Sequence, residues 1–177
     1  MALLAFDNVS FSYPGSSAPA LRGVSLQLQA GEYLAVLGAN GSGKSTLALH
    51  MNGLLRPSEG SVSLQLPGGE LLDSRRREHL PQLRRACSMV FQDPDEQTVA
   101  ATVEEDVAFG PENLGLPRDE LRRRVGRALE RVGLAGREEQ LVASLSRGQR
   151  QREAVAGALA MEPAVLVCDK PTAMLAA

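Results

Sequence analysis

Tryptophan is absent and aromatic residues make up only 3% of the 177-residue chain, which weakens any platform for stacking nucleic-acid bases. An excess of basic charge is missing too. The 19 Lys plus Arg face 21 Asp plus Glu, a formal net charge of −2, whereas a general nucleic-acid binder carries a basic surplus. There are two cysteines, Cys87 and Cys168; each lies in a short apolar run and reads as a buried free thiol rather than half of a disulfide or a metal or redox pair. No apolar stretch reaches the roughly 18 to 20 residues of a membrane span, and the longest, 154–168, is broken by Glu162 and Pro163. The N-terminus arrives at Asp7 without a basic leader, so no signal peptide is expected. Lysine is scarce as well. Of the 19 basic residues only Lys44 and Lys170 are lysines, and the positions of these two prove informative.

What remains is a 44% hydrophobic chain long enough to bury a core without disulfide or metal staples. Its length fits one domain, 1–177. Its composition is that of a soluble, intracellular globular protein with any membrane role peripheral. Val9 and Phe11 alternate with Ser10 and Ser12, and Val24, Leu26 and Leu28 with Ser25, Gln27 and Gln29, which predicts two half-exposed strands. The run Tyr33 to Leu37 is almost continuously apolar, as in a strand buried on both faces. A Gly-rich stretch follows, then a helix over Thr46–Met51, then a strand with Val62, Leu64 and Leu66 on one face. Ser88–Phe91 and Ala164–Cys168 read as further buried strands. Thr102 followed by Glu105 is a capping box and predicts a helix start. Leu121, Val125, Leu129 and Val132 recur at helical spacing over Arg118–Val132, with the arginines of that segment forming a solvated face. Another helix is predicted over Arg147–Met161. Strand, Gly-rich loop and helix, then helix and strand again, imply an α/β domain with a mostly parallel sheet, an N-terminal antiparallel part, and a helical insertion over about 102–146.

Two segments carry chemistry. Gly38-Ala39-Asn40-Gly41-Ser42-Gly43-Lys44-Ser45 fits the phosphate-loop pattern G-x-x-x-x-G-K-S without a mismatch. Glycines let the backbone wrap so that successive N–H groups face a phosphate, and the following helix adds its positive N-terminus. Lys44 is placed to reach the β- and γ-phosphates and the Ser45 hydroxyl to ligate Mg²⁺. The second segment, Ala164–Asp169, is an apolar strand ending in an acid; in phosphate-loop proteins that Asp sits beside the loop and helps to hold Mg²⁺.

Leu145-Ser146-Arg147-Gly148-Gln149, followed by Arg150-Gln151-Arg152, resembles the LSGGQ signature of ABC transporter ATPases, with Arg147 in place of its first glycine. Thr102-Val103-Glu104-Glu105-Asp106-Val107-Ala108-Phe109-Gly110-Pro111-Glu112-Asn113-Leu114-Gly115 resembles, more narrowly, the ATPases of energy-coupling factor importers for cobalt, nickel and vitamins. The resemblance runs from about Ala5 to Leu175. It implies a phosphate-loop NTPase fold of the ABC type, with a RecA-like core sheet. It implies that ATP and Mg²⁺ are bound, with Tyr13 stacked on adenine, Gly38 to Thr46 around the phosphates, and Ser45, Gln92 and Asp169 at the metal. Ser146, Gly148 and Gln149 would face nucleotide held by a second ATPase subunit, in a homo- or heterodimer. The other implied partners are a transmembrane coupling subunit and a substrate-binding membrane subunit, the complex working at the cytoplasmic face of the membrane.

Two departures from the family pattern stand out. The family's catalytic glutamate is replaced by Lys170, and an ammonium carries donors only, so it cannot take a proton from water. General-base help is worth about 10² to 10⁴ in rate, so the substitution predicts ATP binding with slow hydrolysis. The family pattern also runs on past Pro171-Thr172, with an aspartate at the position of Ala176, to a further strand and a switch histidine. Against that pattern the chain is expected to be cut short at its C-terminus. The competing readings are an inactive nucleotide-binding remnant, or a soluble ABC-type ATPase of DNA repair or translation; the latter would carry coiled-coil or basic insertions that are missing here.

Overall fold

Residues 3–170 are described by a computed structural model. The positions of Pro171, Thr172 and Ala176, singled out above, lie outside the described residues. The chain divides after Cys87 into two compact units.

In the first unit the alternating segments become an antiparallel sheet in the order β2-β1-β3-β4: β1 is Leu4–Phe11, β2 Leu21–Leu28, β3 Glu59–Gln65 and β4 Leu71–Asp73. Central β1 pairs Leu4 with Leu28 on one side and with Leu64 on the other, and Phe6 with Leu26 and Val62. Period-2 patterning thereby puts Leu4, Phe6, Val9, Val62 and Leu64 on the buried face. The register slips between Asp7 and Ser10, where Asn8 takes φ 48 and a Cβ on the facing Gly60 would lie 2.3 Å from two backbone oxygens. Only glycine fits opposite that bulge. Helix α1, Lys44–Met51, buries Thr46, Leu47, Ala48, His50 and Met51, and α2 is Leu80–Ala86.

The second unit opens on β5, Cys87–Val90, which pairs with β6, Val165–Cys168. Three helices form where the sequence predicts them, α3 over Val103–Asn113 after its capping box, α4 over Arg118–Val132 on its period, and α5 over Arg147–Ala160. Val103, Val107, Val125, Leu129, Leu134 and Ala156 are among the side chains that close their common core. The capping box of α3 forms as expected, Thr102 and Glu105 satisfying each other's backbone N–H. A single bridge between Thr102 and Leu141 ties the start of α3 to the segment before α5, with Val142 N donating to Ala101 O at 2.9 Å.

Two expectations are corrected. Tyr33 to Leu37 is no buried strand: it belongs to neither sheet, and Tyr33 and Leu37 are 92% and 89% exposed. A run of apolar residues states that burial is affordable on both faces, but strand geometry also needs a ladder partner along each edge, and among the described residues this segment has none. Ala164–Cys168 does form a strand, yet it is covered on one face only. Val165 and Val167 are buried while Leu166 and Cys168 are exposed, so Cys168 is not the buried thiol expected. Cys87 is, and burial pushes its thiol up to about 12.

Candidate nucleotide site

The phosphate-loop residues gather in the first unit. Helix α1 starts on Gly43, which sits at φ 91 with no side-chain cap. A Cβ there would stand 2.5 Å from Ala20 O, so glycine is required both by the left-handed backbone and by the close approach. Gly41 is left-handed too, at φ 79, and Ser42 N turns back to Ala39 O at 3.2 Å. Inside this curl the Lys44 ammonium donates to Gly38 O at 2.9 Å and Ala39 O at 2.7 Å, with Ser42 Oγ at 3.5 Å. The loop, Asn40 included, and the Ser45 side chain remain exposed. Carbonyls are neutral acceptors, and an anion's oxygens would make shorter and stronger charge-assisted bonds to the same ammonium.

Tyr13 meets this assembly through the first turn of α1. Its hydroxyl lies 3.2 Å from Thr46 Oγ1, its ring packs edge-on to Phe11 at 5.0 Å, and Phe11 packs edge-on to His50 at 4.8 Å. His50 Nδ1 is 2.7 Å from Thr46 O, and burial holds its imidazole below the usual pKa. Tyr13 stays 43% exposed.

The remaining candidates belong to the second unit. Asp169 N donates to Val90 O at 2.9 Å, which sets the residue after β6 beside the end of β5, where Gln92 follows. Asp169 is half-buried, Gln92 and Lys170 are exposed, and Lys170 sits at φ 50. The loop after Gln92 is clamped by Gln97, whose Oε1 accepts from Phe91 N at 2.7 Å and whose Nε2 donates to Met89 O at 3.1 Å. A short 3-10 turn over Pro94–Glu96 follows, with Asp93 accepting from Asp95 N.

At the start of α5, Ser146 and Gln149 form a second capping box: Ser146 N donates to Gln149 Oε1 at 2.8 Å, and Gln149 N donates to Ser146 Oγ at 3.3 Å. Gly148 lies half-buried and Arg147 exposed in that first turn. Arg150 then fixes the helix to the neighbouring loop, with Nε 2.8 Å from Asp95 Oδ1 and Nη1 donating to Leu145 O at 2.7 Å.

The sequence alone does not single out Gln97, the Arg150–Asp95 pair, the half-buried Asp106 or the buried Glu153. The long-range pairs leave no local trace. Glu153, though, shares a helical stripe with Ala156 and Ala160, and a charged residue on that apolar stripe was a readable signal.

The first unit holds a glycine-shaped loop with a single lysine; the second, by itself, holds a strand-end amide and carboxylate and a capped helix start. Within the second unit, Gln92 and Asp169 offer oxygen donors of the kind a hard divalent cation such as Mg²⁺ takes.

Comparison with known proteins agrees. A family model described as ABC transporter matches residues 21–173, and the chain belongs to that family. It is 53% identical over 96% of its length to the energy-coupling factor transporter ATP-binding protein EcfA1 of Symbiobacterium thermophilum. To the cobalt import ATP-binding protein CbiO of Syntrophus aciditrophicus it is 46% identical over 95%. It spans 60% and 58% of those two proteins' own lengths. Among solved structures, cbiO1 of Clostridium perfringens, part of the ABC transporter complex cbiONQ, superposes with a TM-score of 0.84 at 41% identity, covering 97% of this chain and 66% of that one. The ATP-binding cassette MJ0796, in a dimeric post-hydrolysis state bound to ADP and Pi, gives 0.83 at 28% identity, covering 98% and 76%. The fold is that of an ABC ATPase cassette.

Proposed function

We propose that this chain is the ATP-binding part of an energy-coupling factor importer that moves a metal ion or vitamin. It works as one of two ATPase subunits against a transmembrane coupling subunit and a substrate-binding membrane subunit, at the cytoplasmic face of the membrane. No helix among the described residues is long and apolar enough to cross a membrane, which suits a peripheral role. The observation that carries the reading is the Lys44 ammonium resting on the carbonyls of its own glycine-shaped loop, where β- and γ-phosphate oxygens would replace them. The names of the relatives supply the transporter class.

In this reading Tyr13 offers its ring to the adenine, and Gly38 to Thr46 wrap the phosphates. Ser45, Gln92 and Asp169 hold Mg²⁺, which when bound offsets charge on the phosphates. Residues of about 102–146 are the helical insertion through which closure on ATP is passed to the membrane partner. Ser146, Gly148 and Gln149 face nucleotide on the second subunit. Lys170 stands where the attacking water needs a base and provides donors only; it favours phosphate binding over hydrolysis. The test is ATP binding and turnover in the wild-type chain and in Lys170→Glu. The reading expects Mg-ATP to bind both, with turnover in Lys170→Glu higher by about 10² to 10⁴. Equal turnover would remove Lys170 as the block, and failure of either to bind ATP would overturn the nucleotide reading itself.

A further inference from the structure

Glu153 is 1% exposed on α5, and its Oε1 has no hydrogen-bond partner. The carboxyl group it touches is another acid, Asp106 of α3. Asp106 Oδ1 accepts from Val99 N at 2.6 Å and Ala100 N at 2.7 Å, so it holds the segment that leads into α3. Among the described residues no ion pair reaches Glu153 or Asp106. Arg150 is spent on Asp95 and Leu145 O, and Arg152 donates to Val132 O and Gly133 O. Arg124 of α4 pairs with Glu120 and Glu162, and Glu105 is tied into the capping box with Thr102. From β5, buried Val90 packs with Ala154 and Ala158 of α5.

Two carboxyl groups in contact without a counter-charge cannot both be ionised. Asp106 Oδ1 is already engaged by two backbone N–H groups, whereas Glu153 Oε1 is buried with no partner, so the proton resides on Glu153. We propose that Glu153 keeps its proton and donates it to Asp106, and that this proton is the tie between α5, which begins with Ser146 and Gln149, and the 99–106 segment. With the proton present the pair is a hydrogen bond; without it the two helices carry facing charges in a buried contact. The inference rests on the packing of α3 and α5 and is independent of the nucleotide chemistry proposed above.

Burial first, and Asp106 second, push the Glu153 carboxyl from its ordinary 4.5 up to about 9. The folded chain therefore keeps a proton that the unfolded chain has released between those two values. Stability falls as pH rises through that window and levels off above it, the folded-to-unfolded ratio losing about tenfold per pH unit. Glu153→Gln keeps the shape and a donor but cannot ionise. Melting the full chain and this variant from pH 5 to 10 should give transitions that nearly coincide at pH 5, separate steadily in favour of Glu153→Gln, and stop separating near pH 9. A constant offset across the range, as plain repacking would give, overturns the proposal. If Glu153→Gln fails to fold, the wild-type chain decides by itself. A ¹³C-Glu NMR titration should show one carboxyl inflecting far above the rest, and lower in Asp106→Asn, whose side-chain oxygen still accepts from Val99 and Ala100. All glutamates titrating in the ordinary range, or a high inflection unmoved by Asp106→Asn, would contradict it.

Discussion

The phosphate loop and the start of α5 are both positive helix N-termini preceded by turns, yet they are built in opposite ways. The loop ahead of α1 has no side-chain cap; its shape comes from left-handed Gly41 and Gly43, and its one cation is parked on backbone carbonyls. The start of α5 is closed by its own side chains, Ser146 and Gln149 satisfying each other, with Arg150 clamping the helix to Asp95. Backbone groups left without side-chain caps are available to a ligand, whereas capped ones are already satisfied. On the proposed reading the loop is organised for an incoming anion, while α5 is organised to hold its place.

If so, the two regions should fail differently. The largest loss of stability is expected behind α5, in the core it shares with α3 and α4. Leu129 is fully buried there, and Leu129→Ala should cost about 2 to 5 kcal/mol in denaturant unfolding. Gly43→Ala comes next: forcing a Cβ against Ala20 O at a left-handed position should cost about 1 to 3 kcal/mol, and it should abolish Mg-ATP binding, which Leu129→Ala leaves intact in the molecules that remain folded. Ser146→Ala removes half of the capping box and should lower stability by about 1 kcal/mol, measured the same way. Smallest in stability is Lys44→Ala. The exposed ammonium bonds only its own loop, so the melt without nucleotide should be unchanged.

Much of this was legible beforehand because it is local. Alternation in Val24-Ser25-Leu26-Gln27-Leu28, the Thr102–Glu105 box and the four-residue recurrence from Leu121 to Leu129 each specify an element from neighbours in sequence, and each formed. The phosphate loop was readable for the same reason, since its glycines are a backbone requirement written in residue types. What was not legible depends on partners far along the chain. Tyr33 to Leu37 reads as a strand, but a strand is defined by its ladder, and the segment has none here. Cys168 looked buried because its neighbours are apolar, while the covering of one face of β6 decides its exposure. Glu153 lies between these cases: its place on the apolar stripe with Ala156 and Ala160 marks it as buried, but its partner Asp106 on α3 follows only from the packing of the two helices.

The central claim is that the exposed, glycine-shaped loop is a nucleotide site through Lys44. A ligand that binds only the folded chain raises its transition by mass action. Thermal melts of the wild-type chain and of Lys44→Ala, each with and without Mg-ATP, test this directly. The account predicts coincident melts without nucleotide, and a transition raised by Mg-ATP in the wild type but not in Lys44→Ala. An equal shift in both proteins, or none in the wild type, would contradict it.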